Sequence, residues 1–266
     1  VESVLSRLSK IQRAETVTGV PLVSGSFPPG EHDRVWRALR AEHSRTGLWP
    51  VLGSTAHGAA ECSYAWTSVG PQGAELLALT RRIDPAERMA LIVRSVWEDC
   101  VKGMEPTDPF YLEFEADFDP VRVAAAVGDL GETPARNSGG TDWVYPPTDV
   151  LLVPAAAGHE VLALVPAEII AIINNWSGGP SHPDLEYMDH ILVLQYWERR
   201  WGAQLYGRVE GTLELAVERP PSDPLSAAVC AIEQSAYCYD LAQTLGDVRD
   251  VASRQAPASR WTFWWD

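Results

Sequence analysis

Lysine is almost missing from this chain: it stands only at Lys10 and Lys102, and every other basic residue is arginine. Beside so many alanines, that choice looks like the coding bias of a GC-rich bacterial genome, such as an actinobacterial one. Long apolar runs are missing too. The longest, Val161 to Ile173, is interrupted by Pro166 and Glu168, well short of the roughly 18 residues that a membrane span needs. Val1 to Gln12 alternates apolar and charged residues and holds no signal-peptide core, so the expected location is cytoplasmic. Positive charge is scarce: 21 basic residues face 36 acidic ones, a formal net charge of −15. Such a field repels phosphates and anionic lipid head groups, so neither nucleic acid nor a membrane surface is an expected partner. The adjacent pairs Arg81-Arg82 and Arg199-Arg200 lack the basic surroundings of a phosphate-binding stripe.

Several chemistries lack their signatures. The four cysteines, Cys62, Cys100, Cys230 and Cys238, form no C-x-x-C pair and match no zinc spacing, so buried reduced thiols are expected. No two of the six histidines stand at H-x-x-x-H spacing, and no H-E-x-x-H occurs, so no metal is expected. There is no G-x-S-x-G elbow, no G-x-x-x-x-G-K and no G-x-G-x-x-G, and no cofactor is implied.

What is present is a globular composition, 46% hydrophobic, with eleven tryptophans. The clearest element is a helix over 85–102. Asp84 is the cap, Pro85 the first helical residue, and Met89, Ile92, Val93, Val96, Trp97 and Cys100 make one apolar stripe before Gly103. Similar signals predict helices after Asp119-Pro120, over 184–201 with Gly202 as stop, after Asp223-Pro224, and over 241–253. Strands are expected at 47–53, closed by Gly53, and at 110–118, 150–153, 204–208, 212–217 and 261–265, with 204–217 a hairpin. Residues 1–45 read as a short helical pattern, a turn at Pro28-Pro29-Gly30 and a helix over 32–43; residues 54–72 read as loop and 131–148 as linker. Residues 156–173 stay ambiguous between helix and strand. The expected class is α+β, a mixed β-sheet flanked by helices whose last strand ends in Trp-Trp-Asp.

The C-terminal third carries motifs in a fixed order: Asn175-Trp176-Ser177-Gly178, then Leu194 to Ala203 (LQYWERRWGA), Tyr237-Cys238-Tyr239-Asp240, and Phe263-Trp264-Trp265-Asp266. Together they resemble the bacterial DUF4253 family, a domain of unknown function, over about 149–266. The segment Arg45 to Leu52 is similar to the N-terminal part of longer members. The resemblance implies a C-terminal domain at 149–266, with 1–148 an N-terminal α+β region packed on the same body. It brings no activity. Members have Cys-Pro-Asp where this chain has Cys238-Tyr239-Asp240, and a Gln-Gly-Thr-like turn where it has Gln243-Thr244-Leu245-Gly246.

The candidate binding residues are Trp176, Trp197, Cys238, Asp240 and Trp264. Cys238 with Asp240 has two readings. A thiolate nucleophile needs a positive neighbour that the local sequence does not supply; otherwise Cys238 ends a helix in the core and Asp240 caps the next one. The tryptophans either line a groove or fill the core between helix and sheet. Trp264 and Trp265 are neighbours in a strand, so they cannot both face one core. Asp189-His190 resembles half of a metal or acid–base pair, the plainer reading being a partly exposed structural histidine. Two functions follow: a non-catalytic acidic binding protein, of immunity or regulatory type, with a basic protein partner or a small ligand; or an enzyme of unfamiliar type with a pocket near Cys238 and Asp240.

Overall fold

The computed structural model describes residues 5–66, 70–128, 130, 146–165, 185–209 and 211–265. Its centre is a seven-stranded sheet of β1 (Ser9–Glu15), β2 (Pro21–Ser26), β3 (Leu48–Leu52), β4 (Asp149–Pro154), β5 (Ala203–Val209), β6 (Thr212–Val217) and β7 (Arg260–Trp264). The strands lie in the order β1-β2-β4-β3-β5-β6-β7. Every pairing is antiparallel except β3 with β5, which meet in parallel at Leu52 and Gly207. The α+β class with a mixed sheet flanked by helices is therefore as expected.

Strands β3 and β4 bury nearly every residue, the pattern of strands covered on both faces. The larger layer lies on one face and includes α5 (Pro85–Cys100), α8 (Gly158–Leu164), α9 (Tyr187–Trp201), α10 (Pro224–Tyr237) and α12 (Val248–Arg254). Its core is aromatic: Trp197 stacks on Phe263 with centroids 5.2 Å apart and meets Trp261 and Tyr237 edge to face at 5.5 and 5.2 Å. The other face carries α1 (His32–Ala41), which lays Val35, Trp36 and Leu39 on Leu52, Leu152 and Tyr206. The Trp36 indole N–H donates to the Pro50 carbonyl at 3.1 Å, fixing α1 to β3.

The start and stop signals act as the sequence implies. The Asp84 carboxylate accepts from the Ala86 N–H at 2.9 Å, and Asp223 accepts from Ser226 at 2.9 Å. Helix α9 ends at Gly202, whose φ of 64° is left-handed backbone. In the last strand Trp261, Phe263 and Trp265 are buried with the large layer, and alternation turns Trp264, only partly buried, to the opposite face.

Four expectations are corrected. The helical pattern near the N-terminus gives way to strands β1 and β2. Strand β1 is almost wholly exposed, so no buried period marks it, and a register shift with Lys10 at φ 47° disrupts this edge. Residues 56–66 form α3 (Ala56–Trp66) rather than loop, because small residues such as Ala56 and Ala59 bury completely. Residues 109–117 form α6 (Pro109–Asp117) rather than a strand. Asp108 caps it by accepting from Phe110 at 2.8 Å with Pro109 at the first position, and that start signal prevails over an alternation that buries nothing. The helix expected over 241–253 is two, α11 (Leu241–Thr244) and α12, parted at Gly246 with φ 110°. Most of the expected linker over 131–148, and residues 166–173, lie outside the described residues.

Gly158 opens α8 where no side chain fits: a Cβ there stands 2.8 Å from the Trp49 ring and 2.9 Å from the Leu205 nitrogen. Gly158→Ala is expected to cost about 1–3 kcal/mol as overpacking. The check is urea unfolding, with a lower midpoint at unchanged slope.

Candidate functional site

Among the described residues, Trp197, Cys238, Asp240 and Trp264 are set in different surroundings. Trp197 is sealed in the aromatic core, where its indole N–H donates to Glu233 at 3.2 Å. Cys238 is also buried; its thiol donates to the Trp264 carbonyl at 3.2 Å, and burial, with Asp240 adding to it, pushes the thiol well above its ordinary value. A low-pKa nucleophile needs the reverse. Asp240 occupies the cap position of α11 yet makes no side-chain capping bond; its carboxylate takes the Gln243 amide at 2.9 Å. Trp176 lies outside the described residues. His190, expected to be partly exposed, is buried, with Nδ1 2.6 Å from the Tyr237 hydroxyl. Burial pushes its imidazole down to about 3, so it stays neutral. Its neighbour Asp189 is bound by the Arg88 fork at 2.6 and 2.7 Å, tying α5 to α9.

Polar chemistry gathers instead on the opposite face of the sheet, beneath α1. The register sets Gln204, Ala216 and Arg260 side by side across β5, β6 and β7, and sets Glu214 beside Thr262. These positions alternate with Leu213, Leu215, Trp261 and Phe263, which fill the aromatic side. Helix α1 brings Asp33, Trp36, Arg37 and Arg40 over that row and leaves a cleft of about 280 Å³, lined among others by Trp36, Arg37, Arg40, Gln204, Glu218 and Arg260.

One wall is a tight ionic knot. The Asp33 carboxylate accepts from the Tyr206 hydroxyl and from Arg260 Nη2, both at 2.6 Å. The Arg260 guanidinium lies 3.2 Å over the Tyr206 ring. Burial works to raise the Asp33 carboxyl, but Tyr206 and Arg260 outweigh it and hold it below the ordinary value. The Arg260 side chain is only 11% exposed, and its Nη1 finds no hydrogen-bond acceptor among the described residues. The other wall is a relay: Arg40 donates to Gln204 at 2.9 Å, and Gln204 donates to Glu218 at 3.1 Å. Arg40 also sits 4.2 Å over the Trp49 ring.

Behind the knot Glu214 is buried, with Thr262 donating to it at 3.4 Å. Burial pushes its carboxyl up to about 7, although Arg260 and Thr262 pull the other way. The cleft thus presents the cations Arg37, Arg40 and Arg260 and the carboxylate Glu218, with Asp33 tied to Arg260 and the raised carboxyl of Glu214 buried behind. Among the described residues no group of three or more His, Cys, Asp or Glu is placed to hold a metal ion. None of the residues of this cleft was singled out from sequence. The signal that could find them is the opposite charge of Glu214 and Arg260 on strands that turn out to be neighbours.

Three of the quoted motifs, at 194–203, 237–240 and 263–266, fall between α9 and the end of β7, and Asn175 to Gly178 lies outside the described residues. Residues 149–266 match DUF4253, a domain of unknown function. No curated protein and no solved structure matches the chain. The DUF4253 segment contributes β4 to β7, hence Gln204, Tyr206, Glu214, Glu218 and Arg260. Helix α1, with Asp33 and the other two arginines, comes from outside it, so the cleft joins the matched segment to the preceding part of the chain.

Glu214 gives a pH test. A carboxyl raised in the folded state binds its proton more tightly there than in the unfolded chain, so its stabilising proton is lost as pH rises from about 4.5 through about 7. His190 acts in the opposite sense, losing stability as pH falls below about 6.5. Glu214→Gln is therefore expected to gain on the parent protein between pH 5 and 8, by on the order of 3 kcal/mol across the window. The measurement is the difference in urea-unfolding free energy between the two proteins at each pH.

Proposed function

We propose that this chain is a non-catalytic binding protein, of regulatory or immunity type, that holds a small organic anion in the cleft under α1. The observation that carries the reading is the convergence of Arg37, Arg40 and Arg260 on one small cleft beside the Trp36 indole. A guanidinium fork suits a carboxylate or phosphate, and an aromatic wall suits the apolar body of such a ligand. Arg37 is exposed at the mouth of the cleft, and Arg260, although tied to Asp33 through Nη2, keeps its positive charge at the wall.

The overall charge of −15 does not decide against an anion. At physiological salt the screening length is about 8 Å, so the guanidinium groups at the wall outweigh carboxylates spread over the exterior. Four free thiols accord with a reducing, cytoplasmic setting. The enzyme alternative built on Cys238 gains no support from a buried thiol whose pKa is raised.

Titration calorimetry with benzoate and phenyl phosphate as probes tests the reading. At least one is expected to bind saturably, and Arg37→Ala, at an exposed position, is expected to weaken it about threefold to tenfold without changing the melting temperature. Absence of saturable binding by both probes, or binding indifferent to Arg37 and Arg40, would overturn it.

A further inference from the structure

A second surface lies on the far side of the molecule and does not depend on the cleft. Helices α5, α9 and α10 do not close completely against one another. They leave an open groove of about 290 Å³ lined by Met89, Ala90, Val93, Tyr196, Val229 and Ile232, with Phe118 and Pro120 at one end. Its one carboxylate, Glu233, is already engaged by Tyr196 at 2.8 Å, Arg200 at 2.8 Å and Trp197 at 3.2 Å. A small polar molecule would find no open group there to orient it. The walls suit apolar side chains.

The surroundings decide what those side chains belong to. Phe118 and Pro120 are flanked by Asp117 and Asp119, and residues 103–122 hold six carboxylates against one basic residue, Arg122, which pairs with Glu115 and Asp119, both at 3.5 Å. Helix α6 within that stretch buries none of its residues, and Phe110 is 66% and Leu112 48% exposed; Val121, in the next helix α7 (Pro120–Val127), is 66% exposed. The carboxylates still outnumber the cations: Arg249 pairs with Asp117 at 3.1 Å, yet burial first, then Asp247 and Glu113, raise the Asp117 carboxyl against its pull. Like charges gathered beside exposed apolar groups oppose folding and suit a cationic partner.

We propose that this groove and its acidic rim dock a basic amphipathic helix of a partner protein. Apolar residues of the incoming helix at i, i+3 or i+4, and i+7 spacing would fill the groove, while its lysines and arginines meet the acidic rim. Partner choice and association rate would then rest on charge complementarity.

The test uses the full chain and a fluorescein-labelled helical peptide of leucine and lysine, with a leucine–glutamate peptide as control. Anisotropy titration is expected to give saturable one-to-one binding of the lysine peptide only. Raising salt from about 0.05 to about 0.5 M is expected to weaken it at least tenfold. Ala90→Arg fills the groove mouth from an exposed site and is expected to weaken binding at least tenfold, and Glu113→Lys at the rim should weaken it less. Equal binding to the Ala90→Arg protein would overturn the proposal, reducing the effect to non-specific attraction. A concentration-dependent dimer in sedimentation that Ala90→Arg abolishes would also overturn it, assigning the groove to a second copy of this chain. Arg37→Ala is expected to leave peptide binding unchanged.

Discussion

Strand β4 finds its backbone partners on both sides, β2 at one edge and β3 at the other, although those strands lie far earlier in the chain. Backbone N–H and C=O groups that are fully buried must be paired, so β4 can sit at the centre of the sheet only if both neighbours are in place. Its four central residues, Val150 to Val153, are buried, which makes that pairing a requirement. The matched segment thus starts with a strand whose partners come from the rest of the chain. The position of α1, anchored to β3, follows from the same constraint. So does the cleft, because α1 reaches β5 to β7 only when β3 lies beside β5.

The two faces of the sheet follow different physics. On the larger layer the aromatic rings of Trp197, Tyr237, Trp261, Phe263 and Trp265 interlock; the Trp197 and Trp261 indoles and the Tyr237 hydroxyl bond locally, whereas the Trp265 indole N–H finds no acceptor among the described residues. Under α1 the same strands present Gln204, Tyr206, Glu214, Arg260 and Thr262, and burial there must be offset by ion pairs and shared hydrogen bonds. The first face contributes stability through apolar area. The second holds charges in a partly dry setting, where each is sensitive to what enters the cleft.

Where local chemistry dictates local structure, the sequence was legible. Asp-Pro pairs at 84, 119 and 223 start helices, Gly202 ends one, and alternation separates Trp264 from Trp265. Asp108-Pro109 carries the same signal, but the alternation of Phe110, Leu112 and Phe114 masked it. Strand β1 had no periodicity to read, because edge pairing holds it rather than burial. The cleft was illegible for a different reason. A glutamate alternating with leucines in Thr212 to Val217 reads as the solvent side of a hairpin. Only the return of β7 beside β6 and the laying of α1 across that face turn Glu214 into a buried acid.

The junction of β3 with β5 has a kinetic meaning. Strands β5 and β6 form a tight hairpin through Gly211, a contact near in sequence that closes quickly, whereas β7 returns to β6 from farther along, Thr212 facing Trp264 and Ala216 facing Arg260. Joining them to β3 means bringing together Leu52 and Gly207 across most of the chain's length, a slow loop closure. The parallel seam is therefore the pairing of greatest sequence separation in the described sheet, and the cleft depends on it, because α1 is anchored to β3 while the rest of the lining stands on β5 to β7.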